Sequence, residues 1–302
     1  MMIDPKLALA GLFVGFVVGL TGMGGGALMT PILVLLFKIQ PLAAVSSDIV
    51  ASMIMKPVGG GVHWRRGTVN TELVRWLMVG SVPSAFLGVL LLKSSGHGEA
   101  LQHHVKVALG IALLVVALGL MIRPLLSRGR QAGDSVAPLA VKKLQTVLIG
   151  IAGGLVVGLT SVGSGSLMII LLLMLYPKLR LSELVGTDLV QAIPLVASAA
   201  LGHALFGDFQ LALTASILIG SLPGVFIGAQ LSSRAPDAVI RPALILVLLG
   251  SSLKLLGSGN GVLALVIAGF AVAYLAVRAS EQRHARLSVR SAELVGDNTP
   301  PI

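Results

Sequence analysis

The chain contains no cysteine. Disulfides, thiol catalysis and cysteine metal sites are therefore excluded. Charge is scarce too, at 11% of 302 residues, and aromatic residues make up only 4%, with two Trp and two Tyr. A soluble domain carries about a quarter of its residues charged in order to face water. Here 55% of residues are hydrophobic and mean hydropathy is +0.96, more apolar side chain than a globule of this length buries. The bilayer is the expected solvent.

Apolar runs long enough to cross it recur at Ala43–Val62, Leu73–Leu92, Val105–Ile122, Leu184–Leu205, Leu211–Leu231, Ala243–Leu256 with its flanks, and Gly261–Val277. Each reads as one crossing helix. Two further runs, Leu7–Phe37 and Leu144–Tyr176, are too long for one straight crossing at about 1.5 Å per residue, and glycines interrupt both. They read as broken helices. The N-terminus lacks the basic region, short apolar run and small-residue site of a cleaved signal, so the first apolar segment is expected to stay in the mature protein.

The chain repeats itself. Gly15-Phe16-Val17-Val18-Gly19-Leu20-Thr21-Gly22-Met23-Gly24 returns 139 residues later as Gly154-Leu155-Val156-Val157-Gly158-Leu159-Thr160-Ser161-Val162-Gly163. At an offset of 140, Ser47-Asp48 returns as Thr187-Asp188, His63 as His203, and Gly80-Ser81-Val82-Pro83 as Gly220-Ser221-Leu222-Pro223. Gly and Leu coincide easily in apolar sequence, but Asp, His and Pro recurring in order do not. The expected organisation is a first transmembrane repeat at 1–123, a polar cytoplasmic linker at 124–143, a second repeat at 144–257, one additional helix at 258–278 and a basic cytoplasmic tail at 279–302.

The formal charge is +10, from 22 Lys and Arg against 12 Asp and Glu. The basic residues lie in short loops without interleaved aromatics, so they are assigned to orientation, not to nucleic acid. If both broken segments cross completely, basic residues divide almost evenly between the two sides. If each enters and returns as a re-entrant hairpin, Arg65, Arg66, Arg75, Arg123, Arg128, Arg130, Lys142, Lys143, Lys178, Arg180, Arg234, Arg241 and the tail arginines Arg278, Arg283, Arg286 and Arg290 share one side. Lys6, Lys38, Lys93, Lys106 and Lys254 then share the other, with Lys56 inside the membrane. The positive-inside rule selects the hairpin arrangement. Each copy then crosses three times, so the second copy is inverted relative to the first, as in secondary transporters. Kinked full spans are the alternative.

The glycine-rich tips carry the candidate site. Thr21, Gly22, Gly24, Gly25 and Gly26 form the first, and Thr160, Ser161, Gly163, Ser164, Gly165 and Ser166 the second. Non-helical backbone at membrane depth survives only where protein or a water-filled cavity satisfies it, so the tips are expected to meet near the midplane. The half-helices starting there offer N–H groups and a positive dipole end to an anion, and glycine lets a ligand approach closely. Tight helix packing is the competing reading, and it is assigned to Gly11, Gly15, Gly19, Gly150, Gly154 and Gly158 at small-xxx-small spacing. The tips are not P-loops, because no Lys-Ser or Lys-Thr pair follows them.

Asp48 and Asp188 lie inside the second helix of each copy, after Ser47 and Thr187. They are read either as helix caps or as buried carboxylates that carry a proton or orient a ligand-binding group. Lys56 falls on the same helical face as Asp48 and Ser52, and its ammonium could balance a carboxylate or meet an anion; snorkelling to the interface is the alternative. Its counterpart is Val196, so such a site is asymmetric. Gln191 adds a hydrogen-bonding group. His63 and His203 are expected at the interface, and no His spacing suggests a closed metal site.

On these residues the chain resembles the sulfite exporter TauE/SafE family, also called the toluene sulfonate uptake permease family. The carriers are the paired glycine-rich openings, Ser47-Asp48 and Thr187-Asp188, Lys56, His63-Trp64-Arg65-Arg66-Gly67-Thr68-Val69-Asn70, and Gly202-His203 through Gly207-Asp208-Phe209, within Leu7–Leu256. The family often has Val-Asp where this chain has Val69-Asn70. The resemblance implies a multi-pass transporter linked to sulfite, sulfoacetate or other organosulfur anions, and leaves uptake or export open.

The expected fold is thus all-α: a polytopic membrane protein of two inverted-topology repeats, each a glycine-broken re-entrant hairpin plus three spanning helices, with one extra C-terminal helix. The expected function is secondary transport, without enzymatic activity or cofactor, of a small anion, with substrate binding by Thr21–Gly26, Ser47, Lys56, Thr160–Ser166, Thr187 and Gln191, and proton coupling by Asp48 and Asp188. The expected surroundings are the lipid of a cell inner membrane, with the C-terminus cytoplasmic, no nucleic acid, and a homodimer as an option. Rival readings are a proton-coupled cation carrier centred on Asp48 and Asp188, and a membrane subunit without transport. Cysteines placed at Lys38 and Lys178 test the topology, since the chain has no others to interfere. An impermeant thiol reagent should label the two from opposite sides of the membrane; labelling from the same side contradicts the hairpins.

Overall fold

The computed structural model describes residues 3–21, 24–65, 67–127, 140–177, 179–231, 237–270, 272 and 274. The readings above at Gly22, Arg66, Lys178, Arg234, Arg278, residues 128–139 of the linker and the tail at 279–302 lie outside the described residues. Among the described residues the regular structure is entirely helical: α1 (Pro5–Thr21), α2 (Gly26–Leu35), α3 (Pro41–Arg65), α4 (Thr71–Ser94), α5 (Gly98–Ser127), α6 (Lys143–Thr160), α7 (Ser166–Leu175), α8 (Leu181–Phe206), α9 (Leu211–Leu231), α10 (Asp237–Leu255) and α11 (Asn260–Phe270). The chain divides into two compact units, Met1–Gly257 and Ser258–Ile302. The second unit contains α11, beyond which the rings of Phe270 and Tyr274 stack at a centroid distance of 6.3 Å.

Local sequence accounts for the helix boundaries. Pro5 and Pro41 open α1 and α3 at the position where a missing N–H costs nothing. Asn70 caps α4 by accepting from the Leu73 N–H at 3.0 Å, a role an aspartate fills equally well. α3, α4, α5, α6, α8 and α9 are long and apolar enough to cross a membrane. α2 and α7 have 10 residues each. Each therefore rises about 15 Å, half of a hydrocarbon core about 30 Å thick. The two long runs read as broken in sequence do break, one between α1 and α2 and the other between α6 and α7.

Glycine stripes set the main packing. On α1, the Cα positions of Gly11, Gly15 and Gly19 lie against the backbone of Ile217, Ser221 and Val225 of α9; in return Gly220, Gly224 and Gly228 lie against Ala8, Leu12 and Phe16. The residue numbers rise together, so α1 and α9 run parallel. The same interface recurs with exchanged roles, Gly150, Gly154 and Gly158 of α6 lying against Leu77, Ser81 and Ala85 of α4. Backbones that approach this closely leave no space for a side chain, which is how apolar helices associate where no hydrophobic drive exists.

Between these pairs α3 and α8, equivalent helices of the two copies, run antiparallel: Ser46 meets His203 at one end, and Gly60 meets Leu189 and Ile193 at the other. α2 returns along α3, with Thr30 beside Asp48 and Gly25 beside Ser52 and Met55. Two hydrogen bonds cross between copies at equivalent positions: Gln210 N–H donates to Ser47 Oγ at 3.2 Å, and Asn70 N–H to Thr187 Oγ1 at 3.0 Å. α10 packs on α5.

A methyl group at Gly15 would strike the Ser221 carbonyl, and one at Gly154 the Ser84 hydroxyl and the Ser81 carbonyl, whereas one at Gly61 has no atom within 4 Å. Gly15→Ala and Gly154→Ala should each cost about 1–3 kcal/mol through overpacking. Gly61→Ala should leave stability unchanged or slightly improved, since alanine is the better helix former. Thermal unfolding in detergent, followed by size-exclusion chromatography, reads the difference.

Candidate functional site

The two breaks meet. A Cβ at Gly26 would strike the Ser161 backbone and approach its Oγ to 2.7 Å. One at Gly24 would strike the Ser164 carbonyl and come within 3.1 Å of Ser164 Oγ and 3.4 Å of Lys56 Nζ. Gly25 faces Ser52 Oγ and Asp48 Oδ1, at 3.7 and 3.9 Å from its built Cβ. Only glycine allows the tips this contact. The second break is shaped by Ser161 at φ 62° and by Gly163 and Gly165 at φ 119° and 118°, the latter two in a region that side-chain-bearing residues rarely adopt. The residues at the N-caps of α2 and α7 are Gly25 and Gly165, which have no side chain to cap the first N–H groups.

Asp48 and Asp188 stand two turns inside α3 and α8 and are 1% and 0% exposed, which removes the capping explanation. Their surroundings differ. Asp48 Oδ2 accepts from Ser161 Oγ at 2.6 Å and Thr30 Oγ1 at 3.0 Å, so it ties the second break to α2 and α3. Asp188 Oδ1 accepts from Gln191 Nε2 at 3.0 Å, and Gln191 Oε1 in turn accepts from Ser81 Oγ at 3.1 Å. Asp188 Oδ2 is buried with no hydrogen-bond partner among the described residues.

Lys56 is 7% exposed, its Nζ faces Gly24, and its charge acts on both carboxylates. Its burial removes the snorkelling alternative. Lys56 follows Asp48 by two turns of α3, a rise of about 12 Å. The antiparallel register of α3 and α8, combined with the 140-residue offset, puts the point where equivalent residues meet near Met55 and Leu195. Lys56 therefore sits next to that point, across from its apolar counterpart Val196.

Of the residues read from sequence, Gly24, Gly25, Gly26, Ser161, Ser164, Asp48 and Lys56 are brought together, and Gln191 joins Asp188. Ser166 is buried at the start of α7. The hydroxyls of Thr21 and Thr160 turn back to Val17 O and Val156 O of their own helices. Ser47 and Thr187 hold backbone of the other copy, as described above. His203 is buried, not interfacial: Nε2 donates to Gly158 O at 2.8 Å, and Nδ1 lies 2.9 Å from Ser46 Oγ, fastening the last turn of α6 to α3.

Ser52 faces Gly25 on the helical face read from sequence, whereas the partnership of Thr30 with Asp48 and of Ser81 with Gln191 was not read there. Thr30 is the one polar residue of α2, and Ser81 belongs to the repeated Gly-Ser-X-Pro motif. Both signals were present in the sequence.

Repeated apolar helices around a charged centre between two helix breaks fit a multi-pass membrane transporter. The family whose description is "Sulfite exporter TauE/SafE" matches residues 7–255, and the chain belongs to it. It is 42% identical over 254 residues to the "Probable membrane transporter protein YjnA" of Bacillus subtilis (strain 168), covering 83% of this chain and 99% of that protein. A second protein of that organism, the "Probable membrane transporter protein YdhB", is 27% identical over 236 residues, 77% of this chain and 91% of the relative. No solved structure matches the chain significantly.

The Asp48–Ser161 bond joins the two copies and is charge-assisted. A double-mutant cycle of Asp48→Asn and Ser161→Ala, read by unfolding in detergent, should give a coupling of about 1.5–3 kcal/mol. Additive effects would place the hydroxyl elsewhere.

Proposed function

We propose that the protein moves a small anion, sulfite or an organosulfonate, through the space between the two breaks, and that protons bind with it. The observation that carries this reading is the charge balance of the buried centre: two carboxylates, one ammonium, and one carboxylate oxygen without a partner. With Asp48 and Asp188 both ionised, the centre is negative by one charge and repels an anion. A net unit charge about 5 Å away contributes about 3 kcal/mol at an effective dielectric near 20. One bound proton cancels the excess, and a second leaves Lys56 as a net positive charge.

The two carboxylates divide the work. Asp48, with two hydroxyl donors, holds the second break. Asp188, with its unpartnered Oδ2, takes the proton, and the alternative of an unpaired buried charge is costly. The anion is held by Lys56, by N–H groups at the starts of α2 and α7 and by Ser164, with Gly24–Gly26 allowing close approach. Oxyanions of sulfur suit such a site because several oxygens can accept at once.

Alternating access needs two half-molecules that exchange roles. The antiparallel register of α3 and α8 and the return of α2 along α3 support re-entrant hairpins and inverted repeats. Arg65, Arg75, Lys142 and Lys143 gather where α3 ends and α4 and α6 begin, which supports assigning that end to the cytoplasmic side of an inner membrane.

A proton-coupled cation carrier is the second reading, favoured by the excess negative charge alone. Flux of labelled sulfite or a small sulfonate in proteoliposomes distinguishes the two. Anion affinity should tighten as pH falls, by up to about tenfold per pH unit for one coupled proton. Asp188→Asn should flatten that dependence, and Lys56→Ala should reduce anion flux at least about tenfold. Cation flux that survives Lys56→Ala and fails in Asp188→Asn would overturn the anion assignment.

A further inference from the structure

Apart from the buried centre, a cavity of about 560 Å³ opens at the shared end of α4 and α6, lined by Thr71, Glu72, Arg75, Trp76, Val79 and Lys143. It shares no residue with the site between the breaks. We propose that this cleft binds an anionic glycerophospholipid, with the phosphodiester on Arg75 and Lys143 and the glycerol and first acyl carbons against Trp76 and Val79.

The lining changes character with depth in the order a phospholipid does. Thr71, Arg75 and Val79 follow one another at four-residue spacing along α4, a rise of about 12 Å from first to last. That length takes the surface from a hydroxyl, through a guanidinium, to a valine that is 57% exposed. Trp76 stands beside Arg75, and Lys143 Nζ lies over its ring, 5.2 Å from the centroid, so α6 brings a second cation to the same level. Indole rings favour the headgroup region, and a guanidinium pairs with a phosphodiester through two parallel N–H donors. With Glu72 at the rim, the cleft carries one net positive charge. That balance matches a headgroup with one net negative charge and leaves a zwitterionic headgroup without net attraction.

The internal repeat supplies a control within the chain. In the second copy the positions of Thr71, Glu72, Arg75, Trp76 and Val79 are taken by Leu211, Ala212, Ala215, Ser216 and Ile219, and that of Lys143 by Asp4. Where the first copy places a cation over an indole, the second closes the gap with a hydrogen bond from Asp4 N–H to Ser216 Oγ at 3.1 Å. Helix packing is the same at both ends and does not require the basic and aromatic residues. They are present at one end alone, where Arg65, Arg75, Lys142 and Lys143 gather.

The chain has two tryptophans, and Trp64, exposed in the last turn of α3, can be replaced by Phe. The Trp64→Phe protein reconstituted in phosphatidylcholine vesicles then reports on Trp76 alone. Brominated phosphatidylglycerol should quench it with about a fivefold preference over brominated phosphatidylcholine, the effect of one net charge at the surface. Arg75→Gln with Lys143→Gln should abolish the preference, and Lys93→Gln, which removes a charge elsewhere, should retain it. Quenching that follows bulk lipid composition, or a preference that survives the double substitution, would overturn the proposal. So would loss of the preference on adding inorganic phosphate, which would make the cleft a site for a soluble anion.

Discussion

Hydrocarbon offers no hydrogen bonds, so every polar group that this chain takes below the surface must find its partner inside the protein. Two helix breaks, two carboxylates and an ammonium are all placed there, and each solves the problem of another. The break after α6 is fastened by Ser161 to Asp48 and by His203 to the Gly158 carbonyl. The break after α1 is closed by glycines pressed against Ser161 and Ser164. The remaining buried carboxylate oxygen, on Asp188, is the one group the protein leaves unpartnered among its described residues at this centre.

Duplication explains how such a centre arises, and departures from symmetry explain what it can do. The packing layer is kept in both copies, in the glycine stripes and in the paired bonds from Ser47 and Thr187. Around the carboxylates it is not kept. Gln191 has Ala51 as its counterpart, Thr30 aligns with Ile170 when α2 and α7 are matched from their first residues, and Lys56 faces Val196. Ser221, the counterpart of Ser81, has Ala51 where Ser81 has Gln191, and its buried hydroxyl has no partner among the described residues. Two equal halves would give two equal carboxylates; substitutions at a few positions give one that is tied down and one that is open.

Much of this could be read before any coordinates. Long apolar runs, recurring Asp, His and Pro, and glycines in runs too long to cross once located the helices, the duplication and both breaks. The pairing of the breaks followed from the cost of bare backbone in lipid. What stayed hidden was direction. Asp48 as a cap and Asp48 inside a helix differ by where Pro41 starts α3, and Ser47 and Asp48 are neighbours in sequence that turn to different partners. Thr21 and Thr160 look like ligands by position, yet their hydroxyls return to their own helices, as threonines in the last turn of a membrane helix readily do. His203 lies near a helix end whose neighbours Leu201 and Leu205 are exposed, the usual setting of an interfacial histidine, yet its own ring turns inward to the Gly158 carbonyl.

Proton-coupled anion transport, as proposed, requires that the buried centre hold no anion until a proton offsets its second carboxylate. Calorimetric titration of the purified protein with sulfite or a small sulfonate, in buffers of the same pH but different ionisation enthalpy, counts protons taken up per anion bound. An uptake close to one proton per anion, absent in Asp188→Asn, is the expected result. Binding with no proton uptake, or with proton release by the protein, would contradict it.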